Sequence, residues 1–208
     1  MTAPTRQRLI EAASVLFRRQ GLAATGIKQI LAVADAPYSS LYHHFPGGKD
    51  ELAAAAILAS GDYYETLVGG VWDSAADLEG SMIAVFDGAA ELLVLTDYAD
   101  ACPIATVALE VASTNETLRI ATAQVFTRWD DAVTRRLREA GVPGSAALPL
   151  SQSIMALLEG AFMLARAAKT TAPMHAARDS VLVLVRAASS VPGERVPGER
   201  APSARRTS

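Results

Sequence analysis

Apolar residues along this chain recur at steps of three and four, with almost no alternation at steps of two, so the pattern is that of helices. Leu9, Ile10, Ala13, Leu16 and Phe17 mark one face of a helix expected over Thr5 to Gln20 and stopped by Gly21. Thr25 is placed to cap a shorter second helix, "GIKQILAVA", whose core side is Ile27, Ile30 and Leu31. After the break at "DAP", a third helix reads "PYSSLYHHF", with Pro37 suited to the first helical position. Beyond "PGG" a long helix is expected from about Lys49 to Val68, its first turn carrying Asp50 and Glu51 where acids complement the helix dipole.

Four or five further segments follow, around residues 77 to 97, 103 to 112, 116 to 140, 148 to 169 and 174 to 190. Ile154, Leu157, Leu158, Ala161, Leu164, Ala165 and Ala168 step at three and four, as do Ala177, Val181, Leu184, Val185 and Ala188. With Gly160 and Ala161 allowing close approach, these two helices can form a hairpin that either completes the core or pairs with a second copy of the chain, and pairing is the favoured expectation because both seams exceed one narrow stripe. The fold class is all-α: a small helical head over residues 1–48, a helical bundle over 49–190, and a tail over 191–208. That tail, "VPGERVPGERAPSARRTS", is too apolar-poor to offset the entropy of ordering and reads as disordered.

Composition changes this picture little, but charge divides it. Half of the residues are apolar, enough for a core. The one cysteine, Cys102, excludes an internal disulfide framework and suits a reducing cytoplasm. No signal peptide is evident after Met1, and "SMIAVFDGAAELLVLTD" carries acids well inside the length a membrane span needs. The net charge of −3 hides a basic head, residues 1–49, with six Lys and Arg against two acids. Residues 50–190 hold nine basic against eighteen acidic residues, so a polyanion-binding head sits on an acidic body.

The densest chemistry lies in "SSLYHHFPGGKDEL", residues 39–52. A metal site is disfavoured: His43 and His44 are adjacent on a helix and diverge, and the remaining histidine, His175, is remote. A phosphate loop fails as well, because "FPGGKDEL" follows a helix and places Asp50 after the lysine. Cys102, before Pro103, could sit at a helix N-terminus that lowers its pKa, yet no histidine is identifiable as its base, so no enzyme and no cofactor are expected. Reading DNA fits: a break of about four residues between helices two and three gives a helix-turn-helix, whose second helix enters the major groove. Leu41 and Phe45 can anchor that helix inward, leaving Tyr38, Ser39, Tyr42 and His43 outward for phosphates and base edges. Lys49, presented by "PGG" with the N-terminus of the next helix, is expected to grip a phosphate.

These residues carry a family resemblance. "RLIEAASVLFRRQGLAATGIKQILAVADAPYSSLYHHFPGGKDELAAAAI" resembles the DNA-binding region of the TetR/AcrR family of bacterial transcriptional regulators, through "A..LF...G...T....I", "LYHHF" and "GGKDEL". "CPIATVALEVA" and "FTRWDDAVTRRLREAG" resemble the regulatory domain of its LmrA/YxaF-like branch. The resemblance implies a homodimer, an operator with inverted repeats in double-stranded DNA, and repression relieved by a small-molecule effector. By position it implies backbone contacts at Thr25 and Lys28, a recognition helix bearing Tyr38, Ser39, Ser40, Tyr42 and His43, and a phosphate contact at Lys49. Two departures stand out: Asp35 where many members have glycine, and Tyr38 followed by Ser39 where a basic residue and a glycine are common. In the body, Trp72, Phe86, Phe126, Trp129, Phe162 and Met163 are the bulky residues expected to line an apolar pocket for a lipophilic ligand.

Overall fold

The protein is described by a computed structural model over residues 3–190; the disorder expected for 191–208 lies outside the described residues. Among those described there are nine α-helices and no strand: α1 Thr5–Gln20, α2 Ile27–Val33, α3 Tyr38–His44, α4 Gly48–Asp73, α5 Leu78–Leu95, α6 Pro103–Val111, α7 Glu116–Glu139, α8 Gly144–Ala168 and α9 Ala172–Ser189.

Three helix ends differ from expectation. Gly26, not Thr25, occupies the cap of α2, because the Thr25 hydroxyl is turned back to donate to the Gly21 carbonyl at 2.6 Å. Pro37 lies one residue outside α3, in extended backbone. The long helix α4 runs through Gly69 and Gly70 to Asp73, past the end expected near Val68. There the small side is a packing surface for α7: a Cβ on Gly69 would meet the Arg136 guanidinium at 2.8 Å, and one on Gly61 would meet the Val125 methyls at 2.8 Å.

One hydrophobic cluster joins Leu9, Ala13 and Phe17 of α1 with Ile30, Leu41, Phe45 and the first half of α4. It does not stop there, for Ile104, Val107 and Val111 of α6 and Leu118, Ala121 and Val125 of α7 belong to it. The head is thus packed directly on the body, and Asn115, which caps α7, also donates to Asp50 at the start of α4 at 2.8 Å. A second cluster joins Met82, Phe86 and Leu93 of α5 with Ile154, Ala161 and Ala165 of α8 and Met174, Val181 and Val185 of α9.

Helix α8 is long and apolar enough to cross a membrane by length and composition, which the sequence reading missed. Its inner face packs on α7 and α9 in the second cluster, and its outer face stays open.

Candidate nucleic-acid interface and buried cavity

Buried anchors set what α3 presents. Leu41 and Phe45 are sealed in the core, one helical turn apart, and fix the rotation of the helix. Tyr38, Ser39, Tyr42 and His43 therefore point outward, Tyr38 at 58% and Tyr42 at 47% exposure, while Ser40 is half-buried. The rings of Tyr38 and Tyr42 lie 5.9 Å apart, and the neighbouring Tyr38 hydroxyl raises the pKa of Tyr42. Tyr42 also lies over the start of α4, where Gly48 adopts φ +70°, a conformation that favours glycine, and a Cβ would sit 3.5 Å from the ring.

The cationic anchors are arranged around the same face. Lys28 is exposed on α2. Lys49 reaches back so that its ammonium donates to the Leu22 carbonyl at 2.7 Å, the same oxygen that accepts the Thr25 N–H at 3.2 Å. Lys49 and Thr25 therefore converge. The Thr25 side chain itself is 1% exposed and already bonded, so it shapes the α1–α2 loop and has no free hydroxyl for DNA. The N-terminus of α4 is also less open than expected: the Gly47 N–H donates to the Glu51 carboxylate at 2.7 Å. A phosphate at this point would be held by the ammonium, whose two remaining protons are unclaimed, rather than by the helix end. Replacing Lys49 by alanine should weaken binding to all duplexes alike and lower the slope of log affinity against log salt by about 0.9 for each half-site contacted. Titrations across a salt series check this, and an unaltered slope removes Lys49 from the interface.

The turn between α2 and α3 contains Asp35 at φ +46°, in the left-handed region where a side chain is disfavoured. Arg8, which the sequence did not single out, holds this turn by donating to the carbonyls of Ala34 at 2.9 Å and Asp35 at 3.1 Å. Asp35 does not cap α3, since no side-chain cap bond forms there. For Asp35→Gly, relief of about 1 kcal/mol of backbone strain is offset by a similar entropy gain of the unfolded chain, so the melting temperature should barely move. Two unit charges about 8 Å apart in water interact by roughly 0.5 kcal/mol, so removing an anion at that range from the phosphates should tighten DNA binding about twofold per half-site at low salt. Unchanged affinity at low salt would place Asp35 away from the DNA.

In the body, a cavity of about 360 Å³ opens between α4, α5, α7 and α8. Of the six pocket residues expected, Trp72, Trp129 and Phe162 line it. Phe86 is wholly buried in the second core cluster, Phe126 stacks edge-on against Trp129 from the head side, and Met163 faces outward at 61% exposure. The sequence reading missed Tyr64, Asp100, Cys102 and Glu159 on the cavity wall. Glu159 was legible in principle, as the one acid within "IMALLEGAFML". Cys102 does cap α6, its sulfur accepting the Ala105 N–H at 3.4 Å, but its pKa is raised rather than lowered. Burial outweighs the helix end, and the neighbouring Glu159 carboxyl adds to the effect.

This wall is bonded to the head. Asp100, 5% exposed, receives Arg18 of α1 at 2.7 Å and Arg19 at 3.1 Å. Tyr64 accepts a long hydrogen bond from Arg18 at 3.4 Å. Farther along α6, the Glu110 carboxylate accepts the N–H groups of Leu22 at 3.1 Å and Ala23 at 2.6 Å, in the loop that Lys49 also grips.

A basic three-helix head with an outward recognition helix, on a helical body with a cavity, defines a helix-turn-helix DNA-binding regulator. Comparison with known families agrees: residues 9–56 match the model of bacterial regulatory proteins of the tetR family, and residues 80–180 match the C-terminal domain of LmrA/YxaF-like transcriptional regulators. The transcriptional regulator YxaF of Bacillus subtilis is 33% identical over 88% of this chain and 95% of its own length. LmrA of the same organism is 29% identical over 82% and 90%. A regulatory protein TetR from Rhodobacter sphaeroides superposes with a TM-score of 0.78 at 21% identity, covering 88% of this chain and 99% of that one. The chain belongs to the TetR family of transcriptional regulators, in the LmrA/YxaF-like branch, and is not an enzyme.

Proposed function

We propose that the protein is a repressor that holds an inverted-repeat operator as a homodimer and releases it when a small lipophilic molecule fills the cavity. The observation that carries this reading is the wiring of the cavity wall to the head: Asp100 binds α1, and α6 both lines the cavity at Cys102 and Pro103 and grips the α1–α2 loop through Glu110. A ligand that displaces the start of α6 moves the loop on which Lys49 and α2 are seated. Dimerisation through α8 and α9, within residues 148–169 and 174–190, would set two α3 helices about 34 to 36 Å apart, in successive major grooves. The action is cytoplasmic, where bacterial DNA lies.

Coupling between effector and operator sites of this kind is typically about 1–3 kcal/mol, a change in affinity of roughly 5- to 150-fold. Selection of bound sites from random duplexes should return an inverted repeat. Repeating operator titrations with a set of lipophilic compounds should find some that bind and weaken the complex. Compounds that occupy the cavity yet leave operator affinity unaltered would overturn the effector reading, and recovery of no preferred sequence would overturn the operator.

A further inference from the structure

The cavity combines three features: aromatic walls, an excess of carboxylates and no available cation. Tyr64, Trp72, Trp129 and Phe162 supply the rings. Glu65 of α4, Glu91 of α5, Asp100 of the α5–α6 loop and Glu159 of α8 supply the acids, against Arg136 of α7. Arg136 is taken up by Asp73 through two hydrogen bonds, and Asp100 is neutralised by Arg18 and Arg19. Among the described residues, Glu65, Glu91 and Glu159 make no ion pair. Glu159 is the deepest of the three: it lies on the same face of α8 as Met155, Leu158 and Phe162, and Cys102 neighbours it on the cavity wall.

An unpaired carboxyl in an apolar recess is costly, and the cost is offset by a bound cation. Aromatic faces attract cations as well, most strongly when water is excluded. From this juxtaposition we infer that the cavity takes a lipophilic organic monocation, an ammonium or amidinium carried on an aromatic or branched apolar body, with Glu159 as its counter-ion. This rests on the cavity being the effector site. It adds the charge of the effector and the residue that selects for it.

Burial holds the Glu159 carboxyl up to about 7. A cation binds the ionised form, so below that pH a proton must leave and affinity falls by up to tenfold per pH unit; above it affinity levels off. The other titratable groups on the cavity wall are Cys102 at the start of α6, Tyr64 and Glu65 of α4, Glu91 of α5, Asp100 paired with Arg18 of α1, and Arg136 of α7. The glutamine variant therefore separates its contribution from theirs.

The chain has two tryptophans, Trp72 and Trp129, and both line the cavity, so intrinsic fluorescence reports occupancy. The probes are (4-phenylbenzyl)trimethylammonium and its neutral carbon isostere 4-neopentylbiphenyl, titrated into the full-length protein at pH 6 and pH 8. The cation should bind at least tenfold more tightly than the isostere at pH 8 and about tenfold more weakly at pH 6 than at pH 8. Glu159→Gln should abolish both the preference and the pH dependence while leaving the isostere's affinity unaltered. Equal binding of the two probes to the wild-type protein, or a preference that survives in Glu159→Gln, overturns the inference but leaves the cavity as an effector site. No fluorescence response to either probe overturns both.

Discussion

Replacing Leu164 and Val183 together by glutamate should convert the protein from dimer to monomer in sedimentation at micromolar concentration, and weaken binding to an inverted-repeat operator by about 10²- to 10⁴-fold, the advantage of linking two half-site contacts. The outer faces of α8 and α9 motivate this. On α8, Gln152, Ala156, Met163, Leu164 and Ala167 face outward; on α9, Ala176, Ser180, Val183, Leu184 and Ala187 do so. The residues of these stripes are uncharged, with the exposed Asp179 and Arg186 of α9 at the border, each in an ion pair of the same protomer, whereas a solvent-facing helix is expected to be rich in Lys and Glu. Small residues let backbones approach, and the apolar ones supply the area. Both substituted side chains are more than half exposed in the protomer, so the fold should tolerate the change. Affinity for an isolated half-site should be unaffected. A variant that stays dimeric would move the interface elsewhere.

Helix α8 thus serves both the cavity and the outer surface. Met155, Leu158, Glu159 and Phe162 face the cavity, and Met163 and Leu164 face away from it. A ligand drawn toward Glu159 acts on the helix that would set the spacing of the two heads, besides acting through α6 on each head. This double leverage gives a physical reason for a cavity placed between α4 and α8.

Much of the architecture could be read along the chain, and the failures have a common cause. The apolar period placed α1 at both ends and ranked Leu41 and Phe45 as the anchors of α3, because burial of a helical face is a local pattern. Thr25 looked like a cap because local hydrogen bonding favours threonine there, but a carbonyl four residues back claimed its hydroxyl. The end of α4 was placed too early, near Val68, because the helix on which Gly61 and Gly69 pack, α7, is distant in sequence. The cavity was half legible: bulky residues are visible in a sequence, whereas which side of α5 or α7 meets α8 is set by packing across the body. That is why Phe86 fell in the core and the places of Asp100, Cys102 and Glu159 on the cavity wall went unread.

Tyr42→Ala should weaken operator binding by about 30- to 10⁴-fold, since a good base or phosphate contact contributes about 1–3 kcal/mol and a dimer loses it at both half-sites. The fold should survive, because Leu41 and Phe45 hold α3 from the inside while the Tyr42 ring is about half exposed and touches Tyr38 and the start of α4. Truncation would still free some motion at Gly48, so thermal melting must accompany the titration. Tyr42→Phe divides the effect: it keeps the ring over Gly48 and against Tyr38 but removes the hydroxyl. Near wild-type affinity in the phenylalanine variant would assign the contribution to ring contact, such as packing on a thymine methyl or sugar. A loss equal to that of alanine would assign it to the hydroxyl, donating to a phosphate or base edge. Wild-type affinity in the alanine variant, with an unaltered melting temperature, would mean that α3 does not read DNA through Tyr42, and the basic head would then meet the duplex by another surface.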